Sequence, residues 1–548
     1  MSEMLKKTNS DDLVDSGEEH HRAGRLQEAE AHYRAALEID AGHPGALYYL
    51  ANIAYEDGRL SFAVELLDEL LRNEANDSEA WHLYGLVALK NGDCSRAIEY
   101  LKKSILIEPG FALAHYSLGS ALAQQGDVDA AHSSFRQVIT LDPTFVDAHR
   151  AIGNLFHAQK KFDEAVQSYQ QAIKLKPDFK LAYEGVGGIL LSQEKWSEAI
   201  AIYHKAIAEN ASSALIYVGL GVAHSSMNNN KEAIADFEKA ISIDPQCFLA
   251  HFHLASMFYK QGLFSKAVDC YEQALAINNQ DIHLLKKLAD TLLYKMRNYD
   301  KAAEVYKRLL ELEPNDPIAR HHFLACSGQA TPLRADDAYI ENTFDVFSET
   351  FDDVLVGQTK YCGPQLLIQA IQRELGVATK QFAVLDAGCG TGLCGLAISE
   401  YASQLTGVDL SAGMLAKAKL RNVYDELVKA ELTEYLQSKT AAFDFIISGD
   451  TFNYFGDLDD LLAAARMAIH DSGYLFFTVE SLEGDTSDFD DRGYQLYPHG
   501  RYGHTEAYLR ESICNNGFAI VSMETNFLRY ENSRAVQAFV VSCRKSSN

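Results

Sequence analysis

The stretch QFAVLDAGCGTGLCGLAISEYA, residues 381–402, changes character twice. Its first residues are apolar up to Asp386, with the length of a short buried strand. AGCGTGLCG follows, and then LAISEYA, which reads as a helix. Strand, glycine turn and helix in that order suit a nucleotide-bearing cofactor. Glycines let the backbone approach the ligand, and the first amides of the helix point at it. Two spacings overlap here. Gly390, Gly392 and Gly395 fit G-x-G-x-x-G, which on its own is a weak dinucleotide signal. Asp386, Gly388, Gly390 and Gly392 fit the longer D-x-G-x-G-x-G.

The residues after the loop separate the two readings. QLTGVDL is a second strand ending in Asp409, about twenty residues on, where an acid can hold ribose hydroxyls. Ser411 caps the helix SAGMLAKAKL. ELVKAEL, FDFIISGD and GYLFFTVE read as further strands, and the chain closes with FAIVSMETNFLRY and AVQAFVVSCR. The set resembles class I S-adenosylmethionine-dependent methyltransferases, with a Rossmann-like α/β fold, over about residues 345–546. Those enzymes end in an antiparallel strand pair, and dinucleotide domains do not. The resemblance implies S-adenosylmethionine as cofactor, held by Asp386, Gly388, Gly390, Gly392, Asp409, Leu410, Met414, Glu431 and Asp450. Met414 would lie against adenine. Glu431 stands where the family usually has Asp, so its contact with the adenine amino group is in question. Upstream, IENTFDVFSETFDDVLVGQTKYCGPQLLIQAI reads as two amphipathic helices around a turn at Gly357. It resembles the lid segment of small-molecule-type methyltransferases, with Tyr361 expected in the cofactor pocket.

Methyl transfer is an in-line displacement, so the protein mainly positions a nucleophile and excludes water. The acceptor site is expected beside the ends of the fourth and fifth strands, near Asp450 and Asn453. GDTFNYF there lacks the N/D-P-P-Y/F motif of amino-methylating enzymes, and the double-glutamate loop of arginine methyltransferases is missing. SLEGDTSDFDDRGYQLYPHGRYGHTEAYL, at 481–509, is a long insertion after the fifth strand. Within it Tyr494, Tyr497, His499, Arg501, Tyr502 and His504 cluster. His499, Arg501 and His504, with Asp450, are the candidate catalytic groups, and either histidine could take a proton. The run Asp485–Asp491 reads as a solvated turn, or as a lure for a cationic acceptor. No metal site is read: Cys389 and Cys394 lack two further ligands at zinc spacing.

The first three fifths of the chain repeat. Ala29, Ala63, Ala97, Ala131, Ala165, Ala199, Ala233 and Ala267 follow one another at 34 residues, and Ala302 comes one residue late. The extra residue is expected near Met296–Asn298, between the helices of that unit. Four residues after each alanine stands a large apolar residue, among them Tyr33, Phe135, Tyr169, Tyr203, Phe237 and Tyr306. Twelve before it stands a small one, Gly17 through Ala255, which lets paired helices approach closely. Pro109, Pro143, Pro177, Pro245 and Pro314 end second helices. This resembles the tetratricopeptide repeat family over residues 10–316, about nine units. The resemblance implies an all-α solenoid with a protein or peptide partner on its concave face.

A two-part chain results: repeats at 10–316, a linker at 317–343 and a methyltransferase domain at 344–548. Few contacts are expected to cross Ser327–Asp337, so a chain beginning near Leu333 should fold and bind cofactor. The net charge of −27 argues against broad nucleic-acid binding. An acidic start, no long apolar run and nine cysteines without C-x-x-C spacing point to a cytoplasmic protein with reduced thiols, not inserted in a membrane. The leading functional reading is a methyltransferase whose repeats recruit a protein substrate or partner. The alternatives are a methyltransferase of small carboxylic or phenolic acceptors whose repeats serve assembly, and a scaffold with an inactive domain.

Overall fold

The computed structural model describes residues 9–482, 492–531 and 534–546, so the Asp485–Asp491 run lies outside the described residues. Packing divides the chain into two compact bodies, one ending at Met257 and the other beginning at Phe258.

The first body is a series of helix pairs, from Ser10–Arg22 with Leu26–Ile39 to Ala214–Ser226 with Asn230–Ile243. What joins each pair is the contact the spacing predicts. A Cβ on Gly119 would lie 2.6 Å from the Phe135 ring, on Gly153 2.7 Å from Tyr169, and on Gly221 2.5 Å from Phe237. These rings are buried, as are Tyr33 and Tyr203, so the aromatic stripe is core between helices. The turn inside each pair carries one residue of left-handed backbone, at Gly24, Gly58, Gly92, Gly126, Lys160, Glu194 and Asn228. Three of these are not glycine, which is why composition alone does not reveal the rule.

The second body opens with the remaining repeats. Gly262 takes the left-handed turn there, and the next such residue is Arg297, 35 positions later. The extra residue is absorbed upstream of where the sequence places it. Helix Ile282–Asp290 runs on into a π-helical turn, Thr291–Met296, whose hydrogen bonds span one more residue than those of an α-helix. Tyr299–Leu312 follows and packs on Pro317–Ser327.

The stretch expected to be a linker is ordered and anchored. Asp316 caps the helix Pro317–Ser327 by accepting from the amides of Ile318 and Ala319, and left-handed Gly328 ends it. His321 and His322 read as polar in sequence, yet both are buried. The His321 ring stacks on Tyr339 at 3.8 Å, and its Nε2 donates to the Gly500 carbonyl at 2.8 Å. Leu333 accepts from the amides of Gly456 and Asp457, and the Ala335 amide donates to Tyr454, each at 2.8 Å. The expectation of few contacts across Ser327–Asp337 is therefore corrected: aromatic stacking and main-chain pairing tie this segment to the sheet domain.

The sheet has seven strands: β1 (Phe382–Ala387), β2 (Ala402–Asp409), β3 (Glu426–Lys429), β4 (Phe443–Ser448), β5 (Ile469–Glu480), β8 (Phe518–Glu531) and β9 (Arg534–Lys545). A separate hairpin pairs β6 (Tyr494–Leu496) with β7 (Tyr502–His504). The order in the sheet is β3-β2-β1-β4-β5-β9-β8. The first five strands are parallel, and β9 runs antiparallel between β5 and β8. This is the Rossmann-like arrangement with a reversed seventh strand. Order reverses at β1, where its neighbours are β2 and β4, and ligands of open α/β sheets bind at such a point.

Candidate functional site

A cavity of about 1430 Å³ opens at the carboxyl ends of β1, β2, β4 and β5. One ligand pocket usually measures ~300–1,000 Å³, so this space suits two ligands side by side.

One end is the glycine loop. Gly388 and Gly390 line the cavity and have left-handed backbone, φ +73° and +53°. A Cβ on Gly390 would meet no protein atom within 4 Å, so the space beside it is open to a ligand. Asp409 holds the loop in place: Oδ2 accepts from the Gly390 amide at 2.8 Å and Oδ1 from the Ser411 amide at 2.9 Å. The Leu410 amide also donates to this carboxylate, which has about four acceptor sites, so room remains for a ligand hydroxyl. Leu410 and Met414 line the same end. Glu431 does too, but Oε2 caps the next helix at the Glu434 amide, 2.7 Å, and Oε1 pairs with Arg334 at 3.2 Å.

Two of the expected cofactor residues stand behind the loop and do not line the cavity. Asp386 is fully buried and accepts from the Tyr424 hydroxyl at 2.6 Å. Burial pushes its carboxyl up to about 7, against the pull of Tyr424 and the Gly395 amide. Gly392 starts the helix Leu393–Ile398, with the Tyr424 ring 3.0 Å from where a Cβ would be. Both shape the loop from the protein side.

The lid runs over this end as helix Asp337–Phe347 and a second π-helical turn, Asp353–Gln358, which contains Gly357. Phe344, Phe347, Phe351 and Leu355 line the cavity, and Tyr361 is buried beside it. Two aspartates that the sequence did not single out fasten the lid. Asp345 accepts from the Ser411 hydroxyl at 2.5 Å and the Gly413 amide at 3.0 Å. Asp352 accepts from the Thr391 hydroxyl at 2.5 Å and pairs with Arg421.

At the other end lies an ion network. Arg529, on β8 and almost wholly buried, pairs with Asp450 at 2.5 Å, with Glu480, and with Glu531 at 3.3 Å. Arg501 pairs with Glu480 at 2.6 Å and with Glu531. Burial alone would raise the Glu480 carboxyl, but Arg501 and Arg529 outweigh it and hold it at about 2. Asp450 has left-handed backbone, φ +65°, a costly conformation for a residue with a side chain. Asn453 donates to its carboxylate and accepts from the Glu480 amide at 2.7 Å, so it serves to hold two acids in place.

His499 lines the cavity with Nε2 3.8 Å from Glu480, and burial pushes its imidazole down to about 3, leaving it neutral at neutral pH. His504 is a correction. It is fully buried in the hairpin, Nε2 donates to the Gly456 carbonyl at 2.9 Å, and it does not line the cavity. It stands at the end of β7, all of whose residues are buried, and packs with Tyr494 and Tyr508.

Beyond the network the wall comes from the last repeats: Tyr259, Tyr294, Lys295, Arg297 and His322, with Tyr339 of the lid helix. Tyr294, on the first π-helical turn, has its hydroxyl 3.2 Å from His322 Nε2.

Residues 385–477 match the methyltransferase domain family. Tetratricopeptide repeat families match 20–87, 83–144, 116–178, 150–214, 214–247, 248–281 and 284–319. The chain carries tetratricopeptide repeats followed by a methyltransferase domain. A malonyl-[acyl-carrier protein] O-methyltransferase of Geobacter sulfurreducens is 32% identical over 100 residues, 18% of this chain and 38% of that protein. A ubiquinone biosynthesis O-methyltransferase of Histophilus somni is 29% identical over 120 residues, 20% and 50% of the two chains. The chloroplastic magnesium protoporphyrin IX methyltransferase of Arabidopsis thaliana is 25% identical over 197 residues, 34% and 61%. The chain thus spans less than two thirds of the length of each of these relatives. Among the described residues no helix is long and apolar enough to cross a membrane.

Proposed function

We propose that the protein is an S-adenosylmethionine-dependent O-methyltransferase acting on a small carboxylic or phenolic acceptor. The observation that carries this reading is the two-ended cavity. A glycine-loop end fits an adenosyl cofactor, and the opposite end is walled by aromatic side chains that enclose an acceptor. Bound S-adenosylmethionine would supply an electrophilic methyl group. Gly388, Gly390, Asp409, Leu410 and Met414 would hold it, with Tyr361 and the lid phenylalanines excluding water. Asp450 stands where the two ends of the cavity meet. Neutral His499 would accept a hydrogen bond from an acceptor hydroxyl, while Arg501 keeps Glu480 ionised beside it. The O-methyltransferase relatives favour oxygen as the accepting atom.

A partner protein for the repeats is a second proposal that fits beside the first. Every cavity-lining residue lies at Tyr259 or beyond, so the first body is not needed to build the pocket. Repeat arrays resembling it bind proteins and peptides, and its role would be recruitment or assembly. All nine cysteines are free thiols, in keeping with a cytoplasmic location.

The test is transfer of radioactive methyl from S-adenosylmethionine to a cell extract, separated by size and by alkaline stability. Label in the small-molecule fraction is expected, released as methanol by alkali from a carboxyl ester or retained by a phenyl ether. Label confined to protein and stable to alkali would overturn the small-acceptor reading in favour of a recruited protein substrate.

A further inference from the structure

The ion network holds three carboxylates, Asp450, Glu480 and Glu531, against two guanidiniums, Arg501 and Arg529. With all three carboxylates ionised it carries one negative charge in excess; burial raises the Asp450 carboxyl, and Arg529 and Arg501 pull it back down. Of its neighbours, Arg534 stands opposite Glu531 where β8 meets β9 and is exposed to water. His499 is neutral, and the phenols of Tyr361 and Tyr454 are pushed up by burial and so stay protonated. Arg529 and Glu480 are buried, while the Asp450 and Glu531 side chains are 18% and 28% exposed, so water screens the surplus only in part. Buried charge of this kind is costly unless an opposite charge completes it.

The network also touches the cofactor end. Asp450 lines the cavity together with Gly388 and Gly390. The next residue, Thr451, donates its hydroxyl to the Gly388 carbonyl at 3.2 Å. The Asp450 amide donates to Thr478 Oγ1 at 2.9 Å, so main chain and carboxylate are both fixed.

We propose that this surplus negative charge is the counter-charge of the donor's sulfonium, so that the ion network lets the protein tell S-adenosylmethionine from its demethylated product. The inference rests on the S-adenosylmethionine reading above. Transfer moves the methyl group from sulfur to the acceptor oxygen. The electron pair of the broken S–C bond stays on sulfur, which becomes an uncharged thioether; the new C–O bond takes its pair from the acceptor oxygen, and the proton of a hydroxyl acceptor leaves to solvent. Asp409 and the glycine loop face the part of the cofactor that does not change. The network alone faces a charge that disappears, and its loss loosens the product.

The test is calorimetric titration of the full chain with S-adenosylmethionine and S-adenosylhomocysteine in separate runs. Glu531→Gln removes the surplus and should weaken S-adenosylmethionine about tenfold while S-adenosylhomocysteine changes little. Arg501→Gln doubles the surplus and should shift the affinity ratio the opposite way, toward S-adenosylmethionine, by a few-fold. Circular dichroism checks that each variant is folded. If Arg501→Gln does not fold, Glu531→Asp takes its place, and it should restore the wild-type ratio that Glu531→Gln loses. A structural role would weaken both ligands alike, so an unmoved ratio, or one moving the same way in both charge variants, overturns the proposal. Failure of the unaltered chain to bind either ligand would instead overturn the cofactor reading, and the inference with it.

Discussion

The first body and the last repeats are written in the same 34-residue rule, and they differ in what happens when the rule slips. In the first body the left-handed turn inside each helix pair keeps register, and Gly17, Gly119, Gly153, Gly187 and Gly221 each meet an aromatic ring. A helix pair of that kind is finished once its neighbours are stacked on it. In the second body the interval stretches to 35, a π-helical turn takes up the surplus, and Tyr294 faces a ligand cavity. The lid repeats the pattern: its π-helical turn contributes Val354, Leu355 and Gln358 to the same cavity. Regular geometry builds scaffold here, and departures from it build the site.

The contrast can be broken most severely at the loop. Gly390→Val should lower S-adenosylmethionine affinity by more than about a hundredfold, because valine strains a backbone at φ +53° and fills open ligand space. Helical circular dichroism from the repeats should be unchanged, and retained affinity would remove the loop from the site.

Truncation comes next. A chain starting at Phe248, which keeps the helix Phe248–Lys260 whole, should bind S-adenosylmethionine within about twofold of the full chain, since each packed body folds on its own core. A chain starting at Leu333 loses the stacking of His321 on Tyr339 and its hydrogen bond to Gly500. It should melt well below the longer one and lose acceptor methylation. Equal melting and activity would show that the last repeats are dispensable.

Acid should separate the bodies by a few kcal/mol. Burial depresses His321, His322, His499 and His504 in the second body, to about 3 for His322 and His499 and about 4 for His504. In the first body only His82, at about 4, and His132 are clearly depressed among the described residues. Each is neutral when folded and takes a proton near pH ~6.5 when unfolded. The stabilisation is therefore present above that pH and is lost as pH falls toward the folded values, by about 1 kcal/mol at pH 6 for each of His322, His499, His504 and His82. Cofactor binding should fail at a higher pH than repeat helicity, and coincident loss would contradict this.

The mildest change is Gly187→Ala, whose Cβ would lie 2.2 Å from the Tyr203 ring. Overpacking of this sort costs about 1–3 kcal/mol, and donor affinity should not move. A shift in donor affinity would mean that strain in the array reaches the sheet domain.

Legibility followed the same divide. Periodicity gave the repeats and one glycine string gave β1 and its turn, because both are local patterns. The antiparallel close of β8 and β9 followed from the resemblance to methyltransferases, since the residues of FAIVSMETNFLRY mark a strand and not its direction. The ion network was not, since Asp450, Glu480, Arg501, Arg529 and Glu531 meet only through sheet register and a hairpin. One signal was available: Arg529 interrupts the apolar run NFLRY, and a charge in such a strand calls for partners. His499 and His504 are five residues apart and indistinguishable by composition; the hairpin sorts them, with His499 in its turn and His504 on its second strand. Asp345 and Asp352 were read past because they sit on the polar side of an aromatic helix pattern.

The slip at Ala302 has a further meaning when put in genetic terms. The helix pair Ile282–Met296 with Tyr299–Leu312 differs in length from its predecessors by one residue, which is one codon. A gene that copies a repeat reproduces scaffold. A gene that adds three nucleotides inside the copy turns a spare scaffold unit into a wall of the pocket, without a new domain or any change to the sheet.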